Sequence, residues 1–188
     1  MLRNISLPAV LTAVLFLSTG CVKLTLNHTA MPAAAPSAGQ VSVQVNDARE
    51  KDRGQGNERH VGQLRNMYGM RIKMEAQNSL TAELTTIAKE SLTSAGFTVT
   101  DNAPVIVVVD ILDFWMDGYM GYKIDTKFKL SVKKDGTETF SKELTKSDGV
   151  GNPNTKRINA AFKRLLDTIA AEMLTVIKSP EFQTAAAQ

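Results

Sequence analysis

The sequence predicts an α+β domain, an antiparallel sheet of about four to five strands with two helices packed on one face. Three observations carry that expectation. Between Tyr122 and Lys133 apolar and polar residues alternate, and Asp135-Gly136 then offers a tight reversal into a second extended run. Two segments, around 80–95 and 158–177, carry apolar residues at three- and four-residue spacings. Ahead of both, Val41, Val43 and Val45 alternate with Ser42, Gln44 and Asn46, the mark of a half-buried strand.

The folded unit is expected to span residues 40–180. Its first strand runs into Asp47-Ala48-Arg49 and then into a polar, glycine-broken stretch over 50–75 that reads as a long loop. Two readings of this junction stay open. Asp47 and Arg49 close a turn through a salt bridge, or they belong to a ligand-contacting loop. In the first helix Leu80, Leu84, Ile87, Ala88, Ser91, Leu92 and Ala95 form one stripe, with Asn78 or Ser79 to cap it and Gly96 to stop it. Val105–Val109 is continuously apolar, as in a strand buried on both faces, and the run continues to Trp115. Asp117-Gly118 and Met120-Gly121 mark the next reversal, and the alternating meander follows. Its outward Lys123, Lys127, Lys129 and Lys133 read as a solvated face. Ile158 to Ile177 makes the closing helix, Pro180 ends it, and 181–188 is expected to be a flexible tail.

Residues 1–20 follow another grammar. Arg3 precedes an apolar core from Leu7 to Leu17, too short to span a bilayer, and Ser18-Thr19-Gly20 then leads to Cys21, the single cysteine. Small residues immediately before a cysteine resemble the signal of bacterial lipoproteins. That resemblance implies cleavage between Gly20 and Cys21 and acylation of Cys21, giving a membrane attachment without a transmembrane helix. Val22, in place of Asp, implies sorting to the outer membrane, facing the periplasm. Residues 21–39, rich in Ala and Pro, read as an extended tether, although the alternation over Lys23–Asn27 also suits a short edge strand.

The formal net charge of +3 is small and the basic residues are interleaved with acidic ones, which argues against nucleic acid as a partner. The two histidines, His28 and His60, stand far apart in sequence, and no H-E-x-x-H, G-x-S-x-G or phosphate-binding glycine loop occurs. The expectation is a non-enzymatic protein with no cofactor and no metal. Candidate binding residues are Asp47, Arg49, Arg53, Tyr68, Trp115 and Tyr119. Three functions compete: a binding or assembly accessory for an envelope protein, lipid or peptidoglycan; a transport auxiliary with an apolar groove beside Trp115; and a hydrolase pairing Asp47 with an acid from 110–117.

The order of pieces resembles the YajG-like family of bacterial lipoproteins. The lipoprotein cysteine, a V-x-V-x-V strand ending in Asp47-Ala48-Arg49, a helix ending in Gly96-Phe97-x-Val99, the strand 105–112, the meander and a closing helix all stand in that order. The family's Ile-Gly followed by Arg is replaced here by Val61-Gly62-Gln63-Leu64-Arg65. The resemblance implies an outer-membrane lipoprotein and leaves its biochemical role open.

Overall fold

The computed structural model describes residues 21–65, 69–118, 122–151 and 154–187. Among them are the strands β1 (Val22–Leu24), β2 (Gln40–Asp47), β3 (His60–Arg65), β4 (Arg71–Ala76), β5 (Thr98–Val99), β6 (Val105–Gly118), β7 (Lys123–Lys134) and β8 (Thr137–Gly149). The helices are α1 (Leu80–Ser94), α2 (Thr155–Ile177) and α3 (Pro180–Ala186).

The sheet corrects the expected antiparallel arrangement of about four to five strands: it has eight strands of mixed sense, accompanied by three helices. β6 is its axis. Along one edge it pairs antiparallel with β7, which pairs in turn with β8. Along the other edge it pairs in parallel with two strands end to end, β2 against Ile106–Ile111 and β3 against Met116–Gly118. The parallel sense follows from α1, which carries the chain back along the sheet before β6 begins. β4 and β1 extend the sheet beyond β3, and β5 lies beside β2.

Side-chain alternation fills the core as the sequence pattern dictates. Ile124, Thr126, Phe128, Leu130 and Val132 of β7 are buried, together with Val105, Val107, Val109, Ile111, Phe114 and Met116 of β6. The apolar stripes of α1 and α2 close over them as one continuous core. Phe114 joins strand to helix, 5.6 Å from the Phe162 ring and 6.3 Å from the Phe128 ring. Ser79 caps α1 by accepting the Ala82 amide at 3.3 Å, and Asn154 caps α2 by accepting that of Arg157 at 2.9 Å.

Two expected boundaries come out differently. Residues 181–188 were expected to be a flexible tail, yet Pro180–Ala186 is a helix capped by Ser179. Its Phe182 is fully buried, edge-on to Phe97 at 6.0 Å and Phe140 at 5.3 Å. Burying that ring contributes about 1.5–3 kcal/mol, enough to hold a short helix in place. The expected tether, 21–39, also lies on the domain. β1 pairs with β4 from Val22 onward, and residues 25–38 form a strap along α1 and α2.

Candidate functional site

β2 and β3 share one edge of β6, so the chain between them, residues 48–59, leaves the sheet and returns to it. A single side chain closes this excursion. Arg49 is fully buried, and its guanidinium grips Asp47 with two bonds, Nε to Oδ1 at 2.8 Å and Nη2 to Oδ2 at 2.7 Å. It also donates to the carbonyls of His60 at 2.8 Å, Gly54 at 3.2 Å and Asn57 at 3.3 Å. Loop carbonyls that would otherwise be stranded away from water thereby find a donor. Burial alone would raise the Asp47 pKa, but the bonds and charge of Arg49 outweigh it and hold the carboxyl below the ordinary aspartate range. Gly54 is required beside the guanidinium. Its φ is +103°, and a Cβ there would stand 2.5 Å from the His60 carbonyl and 2.7 Å from Arg49 Nη1.

The excursion also reaches the outer face of the sheet, the side away from α1 and α2. Arg53 Nη1 meets Asp113 Oδ2 at 2.6 Å, and the His60 ring stands edge-on to Trp115 at 5.0 Å. Trp115 is only 5% exposed as a result. Burial pushes the pKa of Asp113 up against the pull of Arg53, and burial with the charge of Lys73 pushes that of His60 down, which favours a neutral imidazole. Asp113 Oδ1 and His60 Nε2 are buried and have no hydrogen-bond partner among the described residues. The patch thus brings together two buried polar atoms without partners, a partly exposed guanidinium and an indole beneath them.

Of the sequence candidates, Asp47, Arg49, Arg53 and Trp115 come together around the excursion, while Tyr68 and Tyr119 lie outside the described residues. Arg49 and Asp47 form the salt bridge that was one of the two readings of their junction. Asp113 and His60 join the patch without having been singled out as candidate binding residues, because nothing in a strand pattern shows which residue an excursion will cover. Asp47 does not converge with Asp110. Asp47 pairs with inward-facing Ile111, whereas Asp110 turns to the other side and accepts from Asn46 Nδ2 at 2.8 Å. Three of the four outward lysines of β7 are matched by acids, Lys123 to Asp125 at 2.7 Å, Lys127 to Glu143 at 2.9 Å and Lys129 to Glu138 at 2.8 Å.

The strap carries a second polar cluster, also missed in the sequence. His28 sits between two carboxylates of α1, Nδ1 2.8 Å from Glu83 and Nε2 3.0 Å from Glu90, with its side chain 6% exposed. Contact from both ring nitrogens to carboxylates suits the imidazolium. Burial lowers its pKa, but the bonds and charges of Glu83 and Glu90 together raise it above the ordinary value. Asn78 brackets the Leu26 backbone on both sides, Ser94 donates to the Pro32 carbonyl at 2.6 Å, and Asp167 accepts the Thr29 amide at 2.6 Å.

Cys21 is exposed and stands immediately ahead of β1. Burial and the neighbouring Glu75 push its thiol pKa up, away from a reactive thiolate. No helix among the described residues is long and apolar enough to cross a membrane.

Comparison with known families matches residues 29–183 to one described as uncharacterized lipoprotein, the YajG type. The chain belongs to this lipoprotein family. The match takes in the strap from Thr29, the excursion, Trp115 and the buried Phe182. A search of curated proteins finds no match. Among solved structures, a Xanthomonas campestris protein of a family of unknown function is 14% identical over 84% of this chain and 95% of its own, with a TM-score of 0.64. A second, uncharacterized protein is 10% identical over 82% and 99%, with a TM-score of 0.54. A lipoprotein from Neisseria meningitidis is more distant, 10% identical over 75% and 98%, with a TM-score of 0.43. At these identities the likeness to the first two concerns the fold. Membership of the lipoprotein family implies a membrane-anchored protein of the cell envelope.

Proposed function

We propose that this lipoprotein is a non-enzymatic accessory of the outer membrane, facing the periplasm, anchored by acyl chains on Cys21 after removal of residues 1–20. Its task is binding or assembly within the envelope, and its recognition surface is the patch made by Arg53, Asp113, His60 and Trp115. The observation that carries the reading is the position of Cys21. It is exposed, its thiol is not activated, and the next residue already belongs to the sheet. An anchor there holds the domain directly at a membrane. One acyl chain binds only marginally, so two or three chains would be needed for stable attachment. Carriage of an apolar ligand beside Trp115 is less well supported, because the indole is covered by His60.

The test is mass spectrometry of the N-terminal peptide from the full chain expressed in a Gram-negative host, together with fractionation of its membranes. A peptide beginning at acylated Cys21, recovered in the outer membrane and lost to the soluble fraction in Cys21→Ser, is the expected result. An unmodified thiol with residues 1–20 retained would end the reading. A photoreactive residue at position 53 then tests the patch, which should capture one discrete envelope component; labelling no greater than at an outward position of β8 would remove it.

A further inference from the structure

The register of the sheet fixes which part of the domain an anchor on Cys21 would bring to the bilayer. β1 runs parallel to β4, with Val22 beside Met74, so the backbone leading into β1 points toward the start of β4 at Arg71. The end of β3 at Arg65 lies opposite Arg71, and the end of β6 at Gly118 lies beside Leu64. Lys123 of β7 pairs with Gly149 of β8, and α2 starts shortly after. These termini therefore share one end of the sheet, and Cys21 stands beside it. The strap runs alongside α2, with Thr25 at Asn159 and Thr29 at Asp167, which sets the first turn of α2 near Cys21 as well.

This end is basic. Lys23, Arg71, Lys73, Lys156 and Arg157 are exposed around it, as is Lys123, which is paired with Asp125. Asp117 is exposed, and Glu75, Asp125 and Asp148 are half-buried, the last paired with Arg164, so cations stay in excess. Met70, at the rim beside Arg71, is 51% exposed, the one exposed large apolar side chain among the described residues. The far end carries no such excess: Asp101, Asp135, Glu138 and Glu181 are exposed there, against Lys178 and half-buried Lys133 and Lys134.

We propose that this basic end rests on anionic phospholipid head groups, with Met70 at the contact, so that the anchored domain stands on the bilayer and the Asp135-Gly136 hairpin points away. Cations near an anionic surface are drawn to it, by about fivefold in binding for each lysine or arginine. The acyl chains supply attachment, and the charge end sets orientation. β7 has twelve residues and spans the sheet, so the hairpin would stand about 40 Å from the head groups. The proposal rests on the reading of Cys21 as the acylated residue.

The experiment uses the full acylated protein in vesicles of phosphatidylethanolamine with about one third phosphatidylglycerol, a mixture that presents a negative surface. Acylation consumes the native thiol, so Met70→Cys and Asp135→Cys each provide a single site for a fluorescent label, read against a quencher on the lipid head groups. Strong quenching at position 70 and none at 135 is expected. The difference should shrink severalfold in the triple variant Lys23→Glu, Lys73→Glu, Lys156→Glu, whose exposed positions leave the fold intact. Equal quenching at 70 and 135 on a protein whose mass shows acyl chains would overturn the orientation while leaving the anchor standing. A mass without acyl chains would overturn the anchor and this orientation with it.

Discussion

Two irregular segments cross the surface of this domain, the strap over 25–38 and the excursion over 48–59, and each includes one cationic side chain set against acids or carbonyls, the strap among several other bonds. The excursion uses Arg49, fully buried, whose planar guanidinium binds Asp47 through two parallel bonds. The strap uses His28, whose two carboxylate partners are reached only by the protonated ring. The difference is one of permanence. The excursion is a fixed part of the sheet edge, joining two strands that pair with the same β6. The strap lies between β1 and β2, and one of its contacts, that of His28, responds to pH. Irregular backbone can be fixed when a buried guanidinium collects its carbonyls, or given a pH-sensitive contact when a titrating group joins its other bonds.

The sharpest way to break this comparison is Arg49→Ala. It leaves Asp47 and three loop carbonyls without their donor in a buried site, where loss of one partner costs about 3–5 kcal/mol. Arg49→Lys should recover little, since an ammonium cannot span the same fork. Urea unfolding of both variants checks this. A loss below about 1 kcal/mol, the range of an exposed pair, would mean that the excursion is held by something else.

A smaller effect is expected at His28. His28→Gln removes a charge between Glu83 and Glu90, but those carboxylates are 14% and 27% exposed and can regain water. The cost should fall near the low end for lost hydrogen bonds, about 1 kcal/mol. The pH dependence is the more telling readout. The folded pKa of His28 lies above its ordinary value, so its contribution is fully present below the ordinary histidine value and is lost as pH rises through the folded one. Proteolytic nicking within 30–38 should therefore increase between about pH 5.5 and about pH 8.5 in the native chain and not in His28→Gln, while nicking within 50–58 stays level. Equal pH dependence of both segments would remove the distinction between the two clasps. Asp167 and Lys163 of α2 face the same stretch of strap through Thr29; burial would raise the Asp167 pKa, but bonds from Lys163 and Thr29 outweigh it and hold the carboxyl below its ordinary range.

Much of the fold was written in the local pattern, and what was missed has identifiable causes. The alternation over β7 and the stripes of α1 and α2 lie where the sequence places them. The parallel sense of β2 and β6 had a sign as well, since Val105–Val109 is apolar without alternation, as in strands covered on both faces. β4 carries a plain alternation, Ile72, Met74 and Ala76 against Arg71, Lys73 and Glu75, submerged in a polar neighbourhood. In α3, Ser179-Pro180 reads equally as the end of one helix and the capped start of another, and burial of Phe182 decides for the second. β1 is three residues long, too short for any period to show. The excursion patch was partly legible, since the Asp47–Arg49 bridge joins neighbours in sequence. The pairing of Arg53 with Asp113 spans sixty residues and depends on the path of the loop.

That pair supplies the smallest expected effect and the finest test of the contrast. Arg53 is 42% exposed and Asp113 22%, so solvent screens their attraction and Arg53→Ala should cost no more than about 1 kcal/mol. The fold of the excursion should survive, because Arg49 rather than Arg53 collects its carbonyls. The change should appear at Asp113 itself. Burial already pushes its pKa up, and Arg53 opposes that push, so removing the guanidinium should raise the carboxyl further. Carbon-detected titration of Asp113 in the native chain and in Arg53→Ala measures it directly, with Asp47 in the same spectrum as the internal reference. An upward move at Asp113 with Asp47 unchanged would show that one excursion carries two separable functions, a buried clasp that shapes it and an exposed pair free to exchange its partner for a ligand. A shift at both, or a stability loss as large as that of Arg49→Ala, would mean that the two ion pairs act as one structural unit and that the patch has no cation to spare for recognition.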